Sequence, residues 1–387
     1  MRTAARLRLV YLLYYANVGA FLPYFAAYLR GLGWSGERIG AVQMLPSLLG
    51  PAVAMAWAAW ADRHAGPARA LRLASAWVAG WACLLPFGRT PLAVGGTILL
   101  MALADRALVP LVDAITLEHC RARPGATYAR IRLFGSLGFV AASLAVGRAL
   151  TMRGNRPGDP LVPFAAAACI VGCALGTRRL PPAAPLPLGA RPGPADLLRL
   201  LGDRRLLVLL AACAVHWAAL APYHLLFGVF VRDRGLPADV TGLGMAAGVV
   251  AEIAALLVFP RLQARLPLRA LFTASFLASA LRWGLLSRAG GPAEIVLLQL
   301  LHGASFGLFW GSATAALLDL VPAPLRTTGQ ALFSAIVFGA GNAAGYALAG
   351  LGYDRFGAVA PLYGLAAAVE VILAAAGLAA LGWRRER

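Results

Sequence analysis

Apolar runs of membrane-crossing length recur along the whole chain, separated by polar breaks. They cover roughly 8–30, 39–60, 70–88, 92–117, 131–150 and 160–177, and after a longer break roughly 206–231, 240–260, 268–287, 293–318, 328–351 and 358–382. A helix of about 20 apolar residues crosses about 30 Å of hydrocarbon, so these runs predict twelve spans. A soluble fold is excluded by the same feature. Hydrophobic residues make up 60% and charged residues 13% of the chain, against about a quarter charged in soluble proteins. So few polar groups could not cover the surface of a soluble protein. Arg2, Arg6 and Arg8 ahead of the first run resemble a signal peptide, but the run continues to Leu29, too long for a signal core, and reads as the first span.

The net charge of +19 suggests nucleic acid until the basic residues are placed. All 35 are arginine and lie between apolar runs rather than on one face, which favours a topology signal. With the N-terminus in the cytoplasm, 22 fall in cytoplasmic loops, ten fall outside, and Arg106, Arg132 and Arg282 lie in or at the edge of spans. The positive-inside rule therefore assigns both termini of a multi-pass inner (plasma) membrane protein to the cytoplasm. The proline-rich break at Arg178–Arg205 cannot form a continuous helix. It divides the chain into an N-terminal six-helix bundle (1–180), a cytoplasmic linker (181–203) and a C-terminal six-helix bundle (204–387).

An internal repeat supports that division. The turn Tyr28–Gly40 after the first span matches Phe230–Gly242 after the seventh, with aromatic, aliphatic, arginine, glycine, acidic and glycine positions in register. A six-span offset preserves orientation, as in transporters built from parallel repeats. The expected architecture is all-α, two pseudo-symmetric six-helix bundles.

Ionisable residues inside spans are costly and mark functional positions. Glu252 falls ~18 Å into the eighth span, Arg282 ~20 Å into the ninth from the cytoplasm, and His302 ~15 Å into the tenth from outside. Two readings stand: one cavity site near the midplane, or a Glu252–Arg282 pair that only locks two helices. In the first half, Asp113 and Arg132 flank a turn at similar depth and could pair, either at a site or as a rim salt bridge. Arg106 lies two turns from Asp113 on nearly the same face, and Asp105 points elsewhere. Asp62 and Arg63, at the end of the second span, read equally as a gate latch or as a helix stop. Asn17, Tyr24 and Tyr223 are candidate cavity residues, with packing the alternative.

Enzyme signals are weak. Gly303-Ala304-Ser305-Phe306-Gly307 fits the G-x-S-x-G pattern, but it sits in an apolar span, not in the strand–turn–helix that a nucleophile elbow needs. The five cysteines lack zinc spacing, so neither metal nor cofactor is expected. Gly341-Asn342-Ala343-Ala344-Gly345 reads as a helix-packing contact.

The blocks Pro110–Leu117 and Tyr128–Phe139 resemble the phenylpropionate-permease branch of the major facilitator superfamily, close to lactose permease and the nucleoside–proton symporters. The resemblance runs from Gly19–Phe25 to Leu301–Gly303. Trp57–Arg63 resembles the superfamily's loop motif, with Ala58 at its usual glycine. By that resemblance Asp113 and Arg132 match sugar-binding positions of lactose permease. Glu252, Arg282 and His302 match positions that link substrate to proton, and His216 matches a histidine of the phenylpropionate branch. Two departures, Ser305 in place of a glutamate and Phe139 in place of a sugar-stacking tryptophan, argue against galactoside transport. Coupling requires a buried carboxylate that titrates near neutral pH, here Glu252 or Asp113, and a state-dependent Glu252–Arg282 pair is the expected switch. The function expected is secondary transport of a small organic solute, an aromatic acid for choice, by alternating access with protons, the protein working as a monomer in the lipid bilayer. The alternative is proton-driven efflux of amphipathic compounds, and a non-transporting receptor or scaffold is a third reading.

Overall fold

The computed structural model describes residues 2–88, 90–123, 125–181 and 194–380, and among them the chain is helical without strands. The helices of the first half are α1 (Arg2–Gly31), α2 (Gly36–Trp60), α3 (Gly66–Ala82), α4 (Pro91–Arg121), α5 (Tyr128–Met152) and α6 (Leu161–Thr177). A short α7 (Pro194–Leu201) precedes α8 (Arg204–Ala219), α9 (Ala221–Asp233), α10 (Asp239–Arg265) and α11 (Leu268–Leu286). Then come α12 (Pro292–Leu298), α13 (Phe309–Leu320), α14 (Arg326–Phe333), α15 (Asn342–Phe356) and α16 (Ala360–Ala380). Counting α8 with α9, α12 with α13, and α14 with α15 gives twelve passes. Among the described residues, seven apolar stretches are long enough to cross a membrane, one of which, Gly36–Phe87, has the length of two passes; Leu161–Thr177 and Ala360–Ala376 are shorter apolar helices. Large side chains such as Leu92, Leu257, Leu348 and Ile372 stand exposed, as a surface solvated by lipid requires.

The residues form two compact units, Met1–Ala190 with Pro237–Gly242, and Arg191–Leu236 with Leu243–Arg387. In the first, α1 packs along α5 and α6, α2 along α4, and α3 along α4 and α6. The second repeats this order: α8 and α9 pack against 334–356 and against α16, and α11 packs against 303–320 and α16. The repeated turns match in detail. Gly33 (φ +84°) and Gly235 (φ +68°) both adopt the left-handed conformation, which glycine reaches without steric cost. The following amides, of Trp34 and Leu236, each bond back to the carbonyl five residues earlier. The core of the first unit is rich in alanine and aliphatic residues, whereas that of the second gathers Trp217, Phe272, Phe276, Phe309 and Phe333. In the first unit α1 and α5 approach to backbone contact: a Cβ at Gly138 would overlap the Leu12 carbonyl.

The expected linker, 181–203, lies mostly outside the described residues, and its final part is helical (α7). Of the two readings of Asp62–Arg63, gate latch and helix stop, the stop is corrected. The helix widens into a π turn over Ala61–Ala65 and breaks only at Gly66, φ +68°. Three spans of the second unit are interrupted where periodicity suggested continuous helices. The break between α8 and α9 falls at Leu220, ahead of Pro222, which lacks an N–H and crowds the preceding turn. A 3₁₀ turn (Gln299–Leu301) and a π segment (Gly303–Leu308) separate α12 from α13, and a π segment (Ser334–Gly341) separates α14 from α15. Such π segments concentrate at functional sites. Gly341 and Gly345 abut α8 and the start of α9 within the same unit, so the glycine pair is an internal packing contact.

Candidate functional site

In the second unit, Arg282 on α11 has no exposed surface. Its guanidinium donates to His302 Nδ1 at 2.8 Å, Ser305 Oγ at 3.3 Å and Gln299 Oε1 at 2.5 Å. The rings of Tyr223 and Trp283 flank it at 4.3 and 4.4 Å. Residues three apart eclipse one another in a 3₁₀ turn, so Gln299 and His302 face α11 together. The Gln299 amide donates to the Ile295 carbonyl at 2.8 Å, which leaves its oxygen for the arginine. On the other side of the imidazole, His302 Nε2 lies 3.6 Å from Glu252 Oε2, and Glu252 keeps 28% of its side chain exposed.

Glu252, Arg282 and His302 are thus brought together, but not as the expected Glu252–Arg282 pair. The imidazole stands between carboxylate and guanidinium: His302 Nδ1 faces Arg282 and its Nε2 faces Glu252. This order fixes the tautomer. Arginine is only a donor, so Nδ1 must accept, and the hydrogen of the neutral ring sits on Nε2, toward Glu252. Gln299 and Ser305 escaped the sequence reading as ligands of Arg282. The signal for Gln299 is an amide inside an apolar run, one 3₁₀ turn before His302. Ser305, the centre of the G-x-S-x-G pattern, lies in a π segment and serves Arg282.

Tyr223 belongs to this cluster: its hydroxyl reaches Met245 Sδ at 3.3 Å and its ring lies 5.7 Å from that of His302. His216 is placed differently. It is fully buried, tilted against the Phe309 ring at 4.0 Å, with Nδ1 2.8 Å from Glu370 Oε1 and 3.0 Å from Oε2. Its contacts here are core side chains rather than an open cavity wall. Glu370, on α16, went unremarked in the sequence although a lone carboxylate in an apolar span carries the same signal as Glu252.

In the first unit, Asp113 Oδ1 accepts from Tyr11 at 2.5 Å and from Tyr128 at 3.0 Å. Arg132 donates to Tyr15 Oη at 2.5 Å and lies over the Tyr15 ring at 4.1 Å and the Tyr11 ring at 5.7 Å. The expected Asp113–Arg132 pair is corrected: among the described residues no ion pair joins them, because two phenols satisfy the carboxylate and Tyr11 lies against both groups. Arg106 is exposed, its stem facing Gly50 of α2. Asn17 is half-buried. Tyr24 is buried and donates to the Ser143 carbonyl at 2.5 Å, a packing role rather than a cavity one. Asp62 is half-buried and Arg63 exposed, with no ion pair for either among the described residues. No cluster of three or more metal-ligating side chains occurs among the described residues.

Buried charge on successive spans of a twelve-pass, two-unit helical chain defines a secondary transporter. Comparison with known proteins narrows the class. The chain is 30% identical to the maltose permease of Geobacillus stearothermophilus, over 86% of this chain and 83% of that protein. It is 25% identical to the probable 3-phenylpropionic acid transporter of Escherichia coli (strain K12), over 91% of both. The crystal structure of the nucleoside transporter NupG superposes with a TM-score of 0.87 at 18% identity, covering 99% of this chain and 100% of that one. Residues 4–362 match the MFS_1 like family, and the chain belongs to it. It is a multi-pass membrane transporter of small organic solutes and not an enzyme.

Proposed function

We propose that the protein imports a small aromatic acid together with protons, as a monomer in the inner membrane with both termini in the cytoplasm. The relatives named for maltose and 3-phenylpropionic acid both concern compact ring-bearing solutes. Within the first unit Arg132, half-buried and backed by Tyr15, offers a cation to a carboxylate and a ring face to an arene. Asp113, Arg106 and Asn17 are assigned to the solute path with it, and Asp62 and Arg63 to gating.

The observation that carries proton coupling is the order Glu252–His302–Arg282. While Arg282 donates to Nδ1, His302 cannot take a second proton there. An arriving proton therefore goes to Glu252, the more exposed end of the chain. Protonated Glu252 attracts the Nε2–H less strongly, which loosens His302 and with it Arg282. The test is Glu252→Gln reconstituted in vesicles, with 3-phenylpropionate as solute. Exchange of labelled solute should continue while solute-driven proton uptake disappears. Unchanged proton uptake refutes the assignment of Glu252. Failure of wild-type protein to move 3-phenylpropionate, with maltose or a nucleoside moved instead, refutes the substrate and leaves the coupling residue testable.

A further inference from the structure

In the second unit His302, Phe306 and Trp310 recur at every fourth position and stack as a ladder. Ring centroids are 4.9 Å apart between His302 and Phe306 and 6.3 Å apart between Phe306 and Trp310, the latter pair parallel to within 1°. Beyond Trp310, toward the end of α13, a cavity of about 390 Å³ opens between α10 and α13. Trp310 and Phe259 wall it, and Gln263, Thr314 and Asp319 supply its polar groups. The size suits a small organic ligand. The walls are fixed. Trp310 is held by Phe338 at 5.6 Å and Phe333 at 6.4 Å, and Phe259 lies so close to Gly311 that a Cβ there would overlap its ring.

The charge in this cavity has one sign. Asp319 is exposed and makes no ion pair among the described residues. It sits in the last turn of α13, where unpaired carbonyls already carry partial negative charge. Arg261 and Arg265 of α10 are exposed and do not line the cavity. A carboxylate solute would meet Asp319 and a helix C-terminus, both repulsive. An ammonium group would meet a carboxylate, two acceptor oxygens from Gln263 and Thr314, and two aromatic faces suited to a cation.

We propose that this cavity is a second binding site, separate from Glu252–His302–Arg282, and that it takes small organic cations with an aromatic ring. The ring rests on Trp310 and Phe259, and the ammonium is held by Asp319. The proposal stands whether or not proton coupling holds.

Three ligands sharing a ring and differing in head charge test it: benzylamine, benzyl alcohol and benzoate, titrated calorimetrically into the full-length protein in detergent at neutral pH. Benzylamine should bind at least tenfold more tightly than the other two. Asp319→Asn should remove at least tenfold of that affinity, Asp319→Glu should retain most of it, and Trp310→Ala should weaken benzylamine and benzyl alcohol alike. Glu252→Gln should leave benzylamine binding unchanged. Equal affinity for the three ligands, or tighter benzoate, overturns the proposal. So does benzylamine binding that survives in Asp319→Asn, or that is lost in Glu252→Gln, which would place the cation at Glu252. If Asp319→Asn does not purify as folded protein, the comparison of Asp319→Glu with Trp310→Ala still decides.

Discussion

Breaking the His216–Glu370 pair should strongly destabilise the second unit if the pair is ionised. Both side chains have zero exposure, and Nδ1 lies 2.8 and 3.0 Å from the two carboxylate oxygens. If the pair is ionised, its Coulomb attraction at that distance is about 6 kcal/mol at an effective dielectric of about 20. If it is a neutral acid–imidazole hydrogen bond, its net worth is about 1 kcal/mol. Glu370→Gln preserves shape while removing the charge, and for an ionised pair the loss should be about 3–5 kcal/mol because the histidine is left without its counter-charge. For a unit of this size, with about 2–4 °C per kcal/mol, melting should fall by roughly 6–20 °C.

The double variant His216→Phe/Glu370→Leu is the control. His216 packs between Phe309 and Phe276, at ring distances of 4.0 and 5.4 Å, so a phenyl ring meets compatible neighbours. Replacing a buried ion pair by apolar groups is often neutral or stabilising. The double variant should therefore melt near wild type, well above the sum of the two single effects. The assay is melting of purified protein in detergent, followed by intrinsic fluorescence for wild type, both singles and the double. A Glu370→Gln melting point within a degree of wild type, or additive effects in the double, would refute an ionised pair.

Gly303→Val should give little folded protein, since a Cβ there overlaps the Ala251 carbonyl of α10 and backbone cannot rearrange as a side chain can; recovery by size-exclusion chromatography reads this out. Tyr11→Phe removes a donor from Asp113 and should cost about 1.5–3 kcal/mol of stability, as for a hydrogen bond to a charged group, measured in the same melting assay. The loop residue Asp159 gives a pH test. Burial alone would raise its pKa, but the Arg153 hydrogen bond at 2.7 Å and the Leu161 N–H at 2.9 Å hold it below the usual carboxylate value. A depressed folded pKa contributes stability above the unfolded value of about 3.9, lost as pH falls through the folded value. Asp159→Asn should therefore be destabilised at pH 7 and should begin to converge with wild type only as pH falls below about 4; parallel melting curves across that range would contradict it.

The twelve passes and the charged cluster were legible because both depend on arithmetic along a single helix. Apolar length predicts a span, and rise per residue places Glu252, Arg282 and His302 at comparable depth. Partner choice was not legible. Whether Asp113 faces Arg132 or the phenols of Tyr11 and Tyr128 depends on three helices at once, and neutral hydroxyls give no charge signal. The same holds for Gln299 and Ser305, whose alignment with Arg282 follows from a 3₁₀ turn and a π segment that hydrophobic periodicity averages away. The interruption at Leu220 did have a visible cause in Pro222.

The interposed imidazole makes two mechanisms separable. If a proton travels through His302, a side chain that cannot be protonated must abolish coupling. If His302 remains neutral and only joins Arg282 to Glu252, an amide can replace it. Glutamine suits this test: its oxygen can accept from Arg282 as Nδ1 does at 2.8 Å, and its NH₂ can donate toward Glu252 as the Nε2–H does. His302→Gln should then move the same number of protons per solute as wild type, at a reduced rate because the flexible amide holds Arg282 less firmly. Proton flux and labelled solute flux, measured in the same vesicles, give that ratio. A ratio falling to zero with solute exchange intact would place His302 on the proton's path and overturn the assignment of Glu252 as sole carrier.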